Sequence, residues 1–292
     1  MELRVLKYFL MTAREENITR AAERMHVTQP TLSRQLMQLE NELGVKLFKR
    51  GKHSITLTEE GMLLKQRAQE MISIEDKIYQ DLLHQDGILS GTVTIGGGET
   101  QGMYEISRLI SLFHKENPNV NFEIYSGIAD EIKEKIENGI VDIGLLSEPV
   151  DISKYEFLRI TQKEQWGVLV RPDSSLSQKE YIRPEDLSDI PIIMAKRESV
   201  RNEVANWFGK YYDDLKIIAS CDLLYNTELL VSNGVGAAVS IKSSSKREDV
   251  CFRPFCPVLE TGAVLVWKKH RVVSPAVSKF IEYSKTYMKG IT

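Results

Sequence analysis

Cysteine, long apolar runs and catalytic residue patterns are scarce or missing in this chain of 292 residues. Its three cysteines, Cys221, Cys251 and Cys256, are an odd number without metal-ligand spacing, which favours reduced thiols in the cytoplasm. A redox switch between Cys251 and Cys256 is the alternative. No stretch approaches the roughly 18 apolar residues of a membrane span, and charges interrupt the apolar positions of the N-terminus, unlike a signal peptide. We therefore expect a cytoplasmic protein without a membrane partner.

Patterns of catalysis and cofactor binding are missing as well. The five histidines are scattered, and neither G-x-S-x-G nor H-E-x-x-H occurs. The glycines at 96–98 lack the third glycine spacing of a dinucleotide fingerprint and the Lys-Ser/Thr of a P-loop. The sequence thus predicts neither an enzyme nor a cofactor. Its length, with 42% hydrophobic and 27% charged residues, allows two globular domains.

An acid-free segment lies between Glu23 and Glu40 and has the periodicity of two short helices. We predict the first helix over 19–25 and the second over 29–43, ending at Gly44. One stripe of the second helix holds Leu32, Leu36, Leu39 and Leu43. The opposite face holds Pro30, Arg34, Met37 and Gln38, flanked by Thr31 and Ser33. This face offers hydrogen-bond donors without carboxylates, which suits the major groove of DNA.

The next stretch indicates a β-hairpin, with apolar residues at 47–48 and 55–57 around a basic tip. Residues 20–52 include seven basic and three acidic side chains, a local net charge of +4 in a chain whose total is −3. A helix pair followed by a basic hairpin is a winged helix, and its charge fits contact with phosphates. We expect double-stranded DNA to contact Thr28, Gln29, Pro30, Thr31, Ser33, Arg34, Gln38, Arg50, Lys52 and His53. The alternative is a helical hairpin with a solvated polar face.

We assign the winged module to residues 1–58, with a first helix over residues 2–16. A long helix follows the module. Thr58 can cap the long helix, which we predict over 59–86 as a linker. A stripe along it holds Leu64, Ala68, Met71, Ile78 and Leu82, interrupted by Glu75. Pairing of two such helices would give a homodimer and place two winged modules side by side. A helix packed in an intramolecular bundle is the alternative.

Residues 87–91 indicate a hinge, and residues 92–292 alternate strands with helices at the period of a parallel sheet. We predict an effector-binding domain of two α/β lobes. Lobe I covers about 92–163 and 267–292, and lobe II about 164–266. Because the chain crosses twice between the lobes, we expect a clamshell whose cleft binds the ligand.

Binding groups in such a cleft follow the strands and lie at helix N-termini, which offer free N–H donors. By this criterion the effector-binding candidates are Thr100, Gln101, Ser126, Gly127, Lys196, Arg197, Ser199 and Thr227. The two cations in this set favour an anionic effector. For each residue, capping or a solvated loop is the structural alternative.

The segment AAERMHVTQPTLSRQLMQLENELGVKLFKR, beginning at Ala21, resembles the LysR-type transcriptional regulators of bacteria. The run AAE, the segment TQPTLSRQ, the LE pair and ELGVKLFKR have the order and spacing of that family. The resemblance extends over essentially the whole chain. It implies an N-terminal winged helix-turn-helix, a linker helix and a periplasmic-binding-protein-like effector domain. The sequence GVGAAVS departs from the family pattern because it lacks the closing Leu-Pro.

The function that we predict is that of a DNA-binding regulator controlled by a small-molecule effector. The resemblance implies a homodimer or homotetramer on promoter DNA, with RNA polymerase as a further candidate partner. The alternative is a solute-binding or enzymatic α/β protein whose N-terminal helices only mediate dimerisation. Retention on duplex DNA separates the two hypotheses.

Overall fold

Two compact units make up the chain, Met1–Leu83 and His84–Thr292. The computed structural model describes residues 1–51, 55–82, 89–242 and 247–290. Each unit has its own buried apolar clusters. Within the described residues, no helix combines the length and the apolar character that a membrane crossing requires.

The first unit is a helical module with a small hairpin. Its elements are α1 (Leu3–Glu15), α2 (Ile18–Arg24), α3 (Gln29–Leu43), β1 (Phe48–Arg50), β2 (Ile55–Leu57) and α4 (Glu59–Leu82). The antiparallel pair β1 and β2 confirms the predicted hairpin. The end of α3 is also confirmed, since Gly44 adopts the left-handed conformation at φ 70°. The core of the unit contains Phe9, Leu32, Leu36, Leu39 and Leu47.

Three local predictions in this module were wrong. The α2 helix begins one residue early because Asn17, not Thr19, caps it by accepting a hydrogen bond from the Arg20 N–H at 3.0 Å. The Thr28 side chain does not cap α3 and instead contacts Thr31, with 2.8 Å between the two Oγ1 atoms. Leu43 is 39% exposed, because the apolar stripe leaves the core before the last turn of α3.

A buried carboxylate joins the end of α3 to the hairpin. Glu40 is 7% exposed, and its Oε1 accepts hydrogen bonds from the N–H groups of Leu47 at 2.9 Å and Phe48 at 3.3 Å. Its Oε2 accepts from Lys46 Nζ at 3.0 Å. Burial by itself would raise the pKa of Glu40, but the bonds from Leu47, Lys46 and Phe48 together lower it. The ionised carboxylate therefore holds the base of the hairpin against the helix.

We expect Glu40→Gln to destabilise the first unit by about 1–2 kcal/mol at neutral pH, because a charged acceptor of three donors is lost. Since folding lowers the pKa of Glu40, this contribution is present above the unfolded pKa of about 4.3 and is lost as pH falls through the folded pKa. Amide exchange at Leu47 and Phe48, corrected for its intrinsic pH dependence, measures the effect. The matched control is Glu42→Gln, an exposed acid on the same helix. Equal exchange in both variants would contradict this role of Glu40.

The linker helix α4 divides its apolar residues between two environments. Ala68 is fully buried in the core of the first unit, and Leu64 and Ile72 pack against that core. Thr58 caps the helix as predicted, since its Oγ1 accepts a hydrogen bond from the Gly61 N–H at 2.9 Å. Glu75, which interrupts the predicted stripe, pairs with Lys7 Nζ of α1 at 2.9 Å.

Leu64 and Ala68 of the predicted stripe pack within the module, so the prediction that the whole stripe pairs with a second copy is wrong for these two residues. Met71 and Ile78 of the same stripe are exposed and, with Ile74, form an apolar face, which we call the α4 face. The side chain of Leu82 and residues 83–86 of the predicted linker lie outside the described residues. Positions 87 and 88 of the predicted hinge also lie outside the described residues. Gly91, the last residue of that predicted hinge, begins a strand.

The second unit is an α/β domain around one long sheet. Its strands are β3 (Gly91–Gly97), β4 (Val120–Ser126), β5 (Ile143–Ser147), β6 (Tyr155–Val170), β7 (Pro191–Met194), β8 (Lys216–Ser220), β9 (Ala237–Ile241), β10 (Cys251–Pro254) and β11 (Glu260–Lys268). Its α-helices are α5 (Gln101–Glu116), α6 (Ala129–Glu137), α7 (Glu198–Phe208), α8 (Leu224–Ser232) and α9 (Pro275–Lys289). The strand order is β4-β3-β5-β11-β6-β9-β7-β8, and β10 pairs with β6.

Parallel pairing at both ends of this sheet agrees with the sequence. The β3 strand is parallel to β4 and β5, and β7 is parallel to β8 and β9. In the middle, however, β6 and β11 run antiparallel to each other. No pattern in the sequence indicates this antiparallel pairing, because only the apolar second half of β6 has the pattern of a strand.

Two apolar cores lie on either side of the middle of the sheet. The first includes Ile160 of β6 with Leu265 and Trp267 of β11, and the second includes Trp166 and Val168 of β6. A single strand thus serves both cores. The predicted lobe boundary at 266 is wrong in detail, because it cuts through β11, whose residues pair with β5 from position 263.

Candidate functional site

The outer face of α3 is open to solvent. Thr28, Gln29, Pro30, Thr31, Arg34 and Gln38 are exposed, and Ser33 is half-buried. Leu32, Leu36 and Leu39 are buried on the opposite side and fix the rotation of the helix. Lys49 of β1 is also exposed. The side chain of Arg50, together with Lys52 and His53, lies outside the described residues.

This face, which we call the α3 face, carries donors and no acid. Glu40, the nearest acid toward the C-terminus, is buried and bonded to the hairpin. Among the described residues the Arg34 guanidinium makes no ion pair. A free guanidinium and an amide on an exposed helix can form bidentate bonds with purine edges, and the hydroxyls can bind phosphates.

The second unit contains a cavity of about 180 Å³ where the two cores meet. Its wall is largely apolar and includes Leu145, Trp166, Ile193, Val200 and Val239. An apolar cavity of roughly 150 Å³ holds one benzene molecule. The space therefore suits a small molecule about the size of a substituted ring.

Four of the eight predicted effector residues line this cavity, namely Thr100, Gly127, Arg197 and Thr227. Gln101 instead lines a different surface depression with Gln162 and Lys163, because the next residue of a helix turns away by about 100°. Ser126 and Lys196 are exposed and do not line the cavity. Ser199 is half-buried, with an unpartnered Oγ, and also lies outside the lining.

The cavity wall includes acids that the sequence did not indicate. Glu99, Glu148, Glu164 and Asp222 line it, against Arg197 as the single basic residue. Glu148 pairs with Arg159 at 2.8 Å, and Asp222 accepts the Lys196 N–H at 3.2 Å. Glu164 lies in a polar stretch, TQKEQ, that has no strand pattern. No local signal could have found it, since its burial depends on the long strand β6.

Glu164 is the most deeply buried of these acids, with 1% of its surface exposed. Its Oε1 accepts a hydrogen bond from the Gly102 N–H at 3.0 Å, in the first turn of α5. Among the described residues its Oε2 makes no hydrogen bond of ordinary geometry, and neither does Thr100 Oγ1, although the Thr100 hydroxyl lies near the carboxylate. Burial raises the pKa of Glu164, although the N–H groups of Gly102 and Gln101 and the nearby Thr100 hydroxyl oppose the shift.

Arg197 joins the two sides of the cavity. It precedes α7 in the second core, and its guanidinium donates to the carbonyl oxygens of Ser147 at 3.4 Å and Pro149 at 3.2 Å. Its Nε lies 3.5 Å from Asp130 Oδ2, and the side chain is 12% exposed. Lys196 does not line the cavity, whereas Arg197 does, and among the described residues its Nε makes no hydrogen bond.

In the part of the chain that the structure describes, no group of three His, Cys, Asp or Glu residues is arranged to hold a metal ion. The three cysteines are free thiols, and Cys221 lines the cavity.

Comparison with known proteins agrees with both units. Residues 3–62 match the bacterial regulatory helix-turn-helix protein of the lysR family, and residues 86–289 match the LysR substrate binding domain. The chain is 28% identical over 300 residues to the Hca operon transcriptional activator HcaR of Escherichia coli (strain K12), covering 100% of both proteins. It is 32% identical over 218 residues to the HTH-type transcriptional regulator IlvY of the same strain, covering 72% of this chain and 71% of IlvY.

Solved structures of LysR-family regulators have the same fold. The crystal structure of CbnR, a LysR family transcriptional regulator, matches with a TM-score of 0.77 at 21% identity, covering 98% of this chain and 99% of CbnR. Full-length CbnR in complex with its target DNA matches with a TM-score of 0.75 at 20% identity, with the same coverage. With a helix-turn-helix module and an effector-binding domain that both match its models, this chain belongs to the LysR family of bacterial transcriptional regulators.

Proposed function

We propose that the α3 face enters the major groove of operator DNA. The observation that carries this proposal is an exposed helix surface with Arg34 and Gln38 outward and no carboxylate among its contacts. The wing, with Lys49 exposed and Arg50, Lys52 and His53 as further candidates, would contact the phosphate backbone. CbnR, which shares the fold, has been solved with its target DNA. A protein of this function acts on the chromosome, so we also place it in the cytoplasm and assign it no enzymatic activity.

We infer that two copies pair through the α4 face. Met71, Ile74 and Ile78 are exposed in the second half of α4, in which Ile72 and Glu75 contact the module. Exposed apolar side chains at spacings of three and four residues favour helix pairing. A dimer would present two α3 faces to a site with two-fold symmetry. A tetramer and contact with RNA polymerase are extensions of the same proposal.

The small-molecule effector would occupy the cavity between the two cores. Thr100, Gly127, Arg197 and Thr227 are the binding candidates that face it. Because a ligand shifts an equilibrium only by binding two states differently, the effector must favour one arrangement of the lobes. The resulting change in the dimer would alter how the modules meet the DNA.

We expect the full-length protein to bind duplex DNA from the promoter region beside its own locus, with affinity that falls steeply as salt rises. Neutralising roughly six phosphates costs about 10³-fold in affinity between 50 and 200 mM salt. Fluorescence anisotropy with the labelled promoter duplex measures this dependence, and a scrambled duplex of equal length is the control. Equal affinity for both duplexes, or none for either, would refute the proposed function.

A further inference from the structure

The proposed function does not explain why Glu164 Oε2, an atom of a residue that lines the cavity, has no hydrogen-bond partner among the described residues. A buried acceptor without a donor destabilises a folded protein, so such atoms are rare. Here the atom belongs to a residue that lines a cavity large enough for a small molecule. The free lone pairs of Glu164 are thus available to a ligand.

The helix end that would attract an anion is already occupied. The N-terminus of a helix such as α5 offers free N–H groups and a partial positive charge. Glu164 supplies its own carboxylate there through the Gly102 N–H. An anionic ligand would meet a like charge at the N-terminus of α5.

The remaining charges of the wall act in the same direction. Glu99 and Asp222 add to the negative potential, whereas Glu148 is paired with Arg159 at 2.8 Å and Arg197 with Asp130 at 3.5 Å. Trp166 also lines the cavity, and a tryptophan ring attracts a cation to its face. Low dielectric surroundings strengthen each of these interactions.

We propose, on the basis of the proposed effector site, that the effector is a small molecule with an apolar body and a protonated amino group. Its ammonium donates to Glu164 Oε2, and Thr100 Oγ1 accepts a second hydrogen bond. The apolar body packs among Leu145, Ile193 and Val239. Glu164 thereby determines specificity for cations over carboxylates.

Calorimetric titration of the full-length protein with three probes of similar shape tests the proposal: benzylamine, benzyl alcohol and phenylacetate. In the wild type we expect benzylamine to bind at least about tenfold more tightly than phenylacetate, with benzyl alcohol between them. In Glu164→Gln, benzylamine should lose about tenfold or more, and phenylacetate should gain because the like charge is gone. A gain for the anion also shows that the variant is folded.

Three results would overturn the assignment: phenylacetate binding the wild type as tightly as benzylamine, no binding of benzylamine, or unchanged benzylamine affinity in Glu164→Gln. Thr100→Val is a second variant, and we expect it to weaken benzylamine about threefold to tenfold. Promoter binding is measured on the same preparations. Loss of DNA binding in the wild type would refute the proposed function, whereas the order of probe affinities alone decides the ligand class.

Discussion

Arg34→Ala is expected to weaken binding of the full-length protein to its operator by about 5- to 150-fold. A bidentate contact between a side chain and a base is worth about 1–3 kcal/mol, and each 1.4 kcal/mol corresponds to a factor of ten. Arg34 is exposed on α3 and, among the described residues, makes no ion pair that would have to break first. Its loss should therefore remove contacts with DNA and leave the module folded.

The salt dependence separates base contacts from phosphate contacts. If Arg34 reads a base, Arg34→Ala should lower the affinity for the operator far more than that for a scrambled duplex and leave the salt slope nearly unchanged. Arg108→Ala, which removes the same charge from an exposed side chain of α5, is the matched control. An equal loss on both duplexes would assign Arg34 to the phosphate backbone. Full affinity in Arg34→Ala would reject the α3 face.

Arg197→Ala is expected to reduce the free energy of unfolding of the second unit by about 1–3 kcal/mol, because hydrogen bonds from a charged donor are worth that much. The guanidinium donates to the carbonyls of Ser147 and Pro149 from a position before α7, so its removal disconnects the two sides of the cavity. Chemical denaturation followed by tryptophan fluorescence measures the change. All three tryptophans, Trp166, Trp207 and Trp267, lie in this unit.

Arg201→Ala is the matched control, since Arg201 is exposed one turn further along the same helix. We expect it to change stability by less than about 0.5 kcal/mol. Arg197→Lys should recover only part of the loss, because an ammonium cannot reproduce the planar fork of a guanidinium. Equal stability of Arg197→Ala and Arg201→Ala would show that Arg197 does not join the two lobes.

The N-terminal module could be predicted well from the sequence because residues close together in the chain specify its helices. Leu32, Leu36 and Leu39 recur at helical spacing, and Gly44 ends the helix through its own backbone freedom. Such patterns are local and do not depend on distant parts of the chain. The same holds for the alternation of strands and helices that we predicted for the second unit.

The structural features that could not be predicted from the sequence depend on contacts between residues that are far apart in the chain. Leu64 and Met71 are both apolar and lie seven residues apart on α4, yet Leu64 packs against the core of the module and Met71 is exposed, a difference that depends on tertiary contacts. Glu164 is buried only because β6 extends back to Tyr155 and β11 pairs with it. The four effector candidates that do not line the cavity were selected by chain position, which does not determine the direction of a side chain: Gln101, Ser126, Lys196 and Ser199.

The strand β6 runs without a break through both lobes of the effector domain. Its first half is embedded in one core through Ile160 and its second half in the other through Val168, so the lobes cannot slide apart without breaking it. They can still rotate about its axis, since strands tolerate twist more readily than extension. Glu164 lies on β6 between the two cores. A molecule bound beside Glu164 would act where the two lobes join. A small rotation at that point displaces the far ends of both lobes the most.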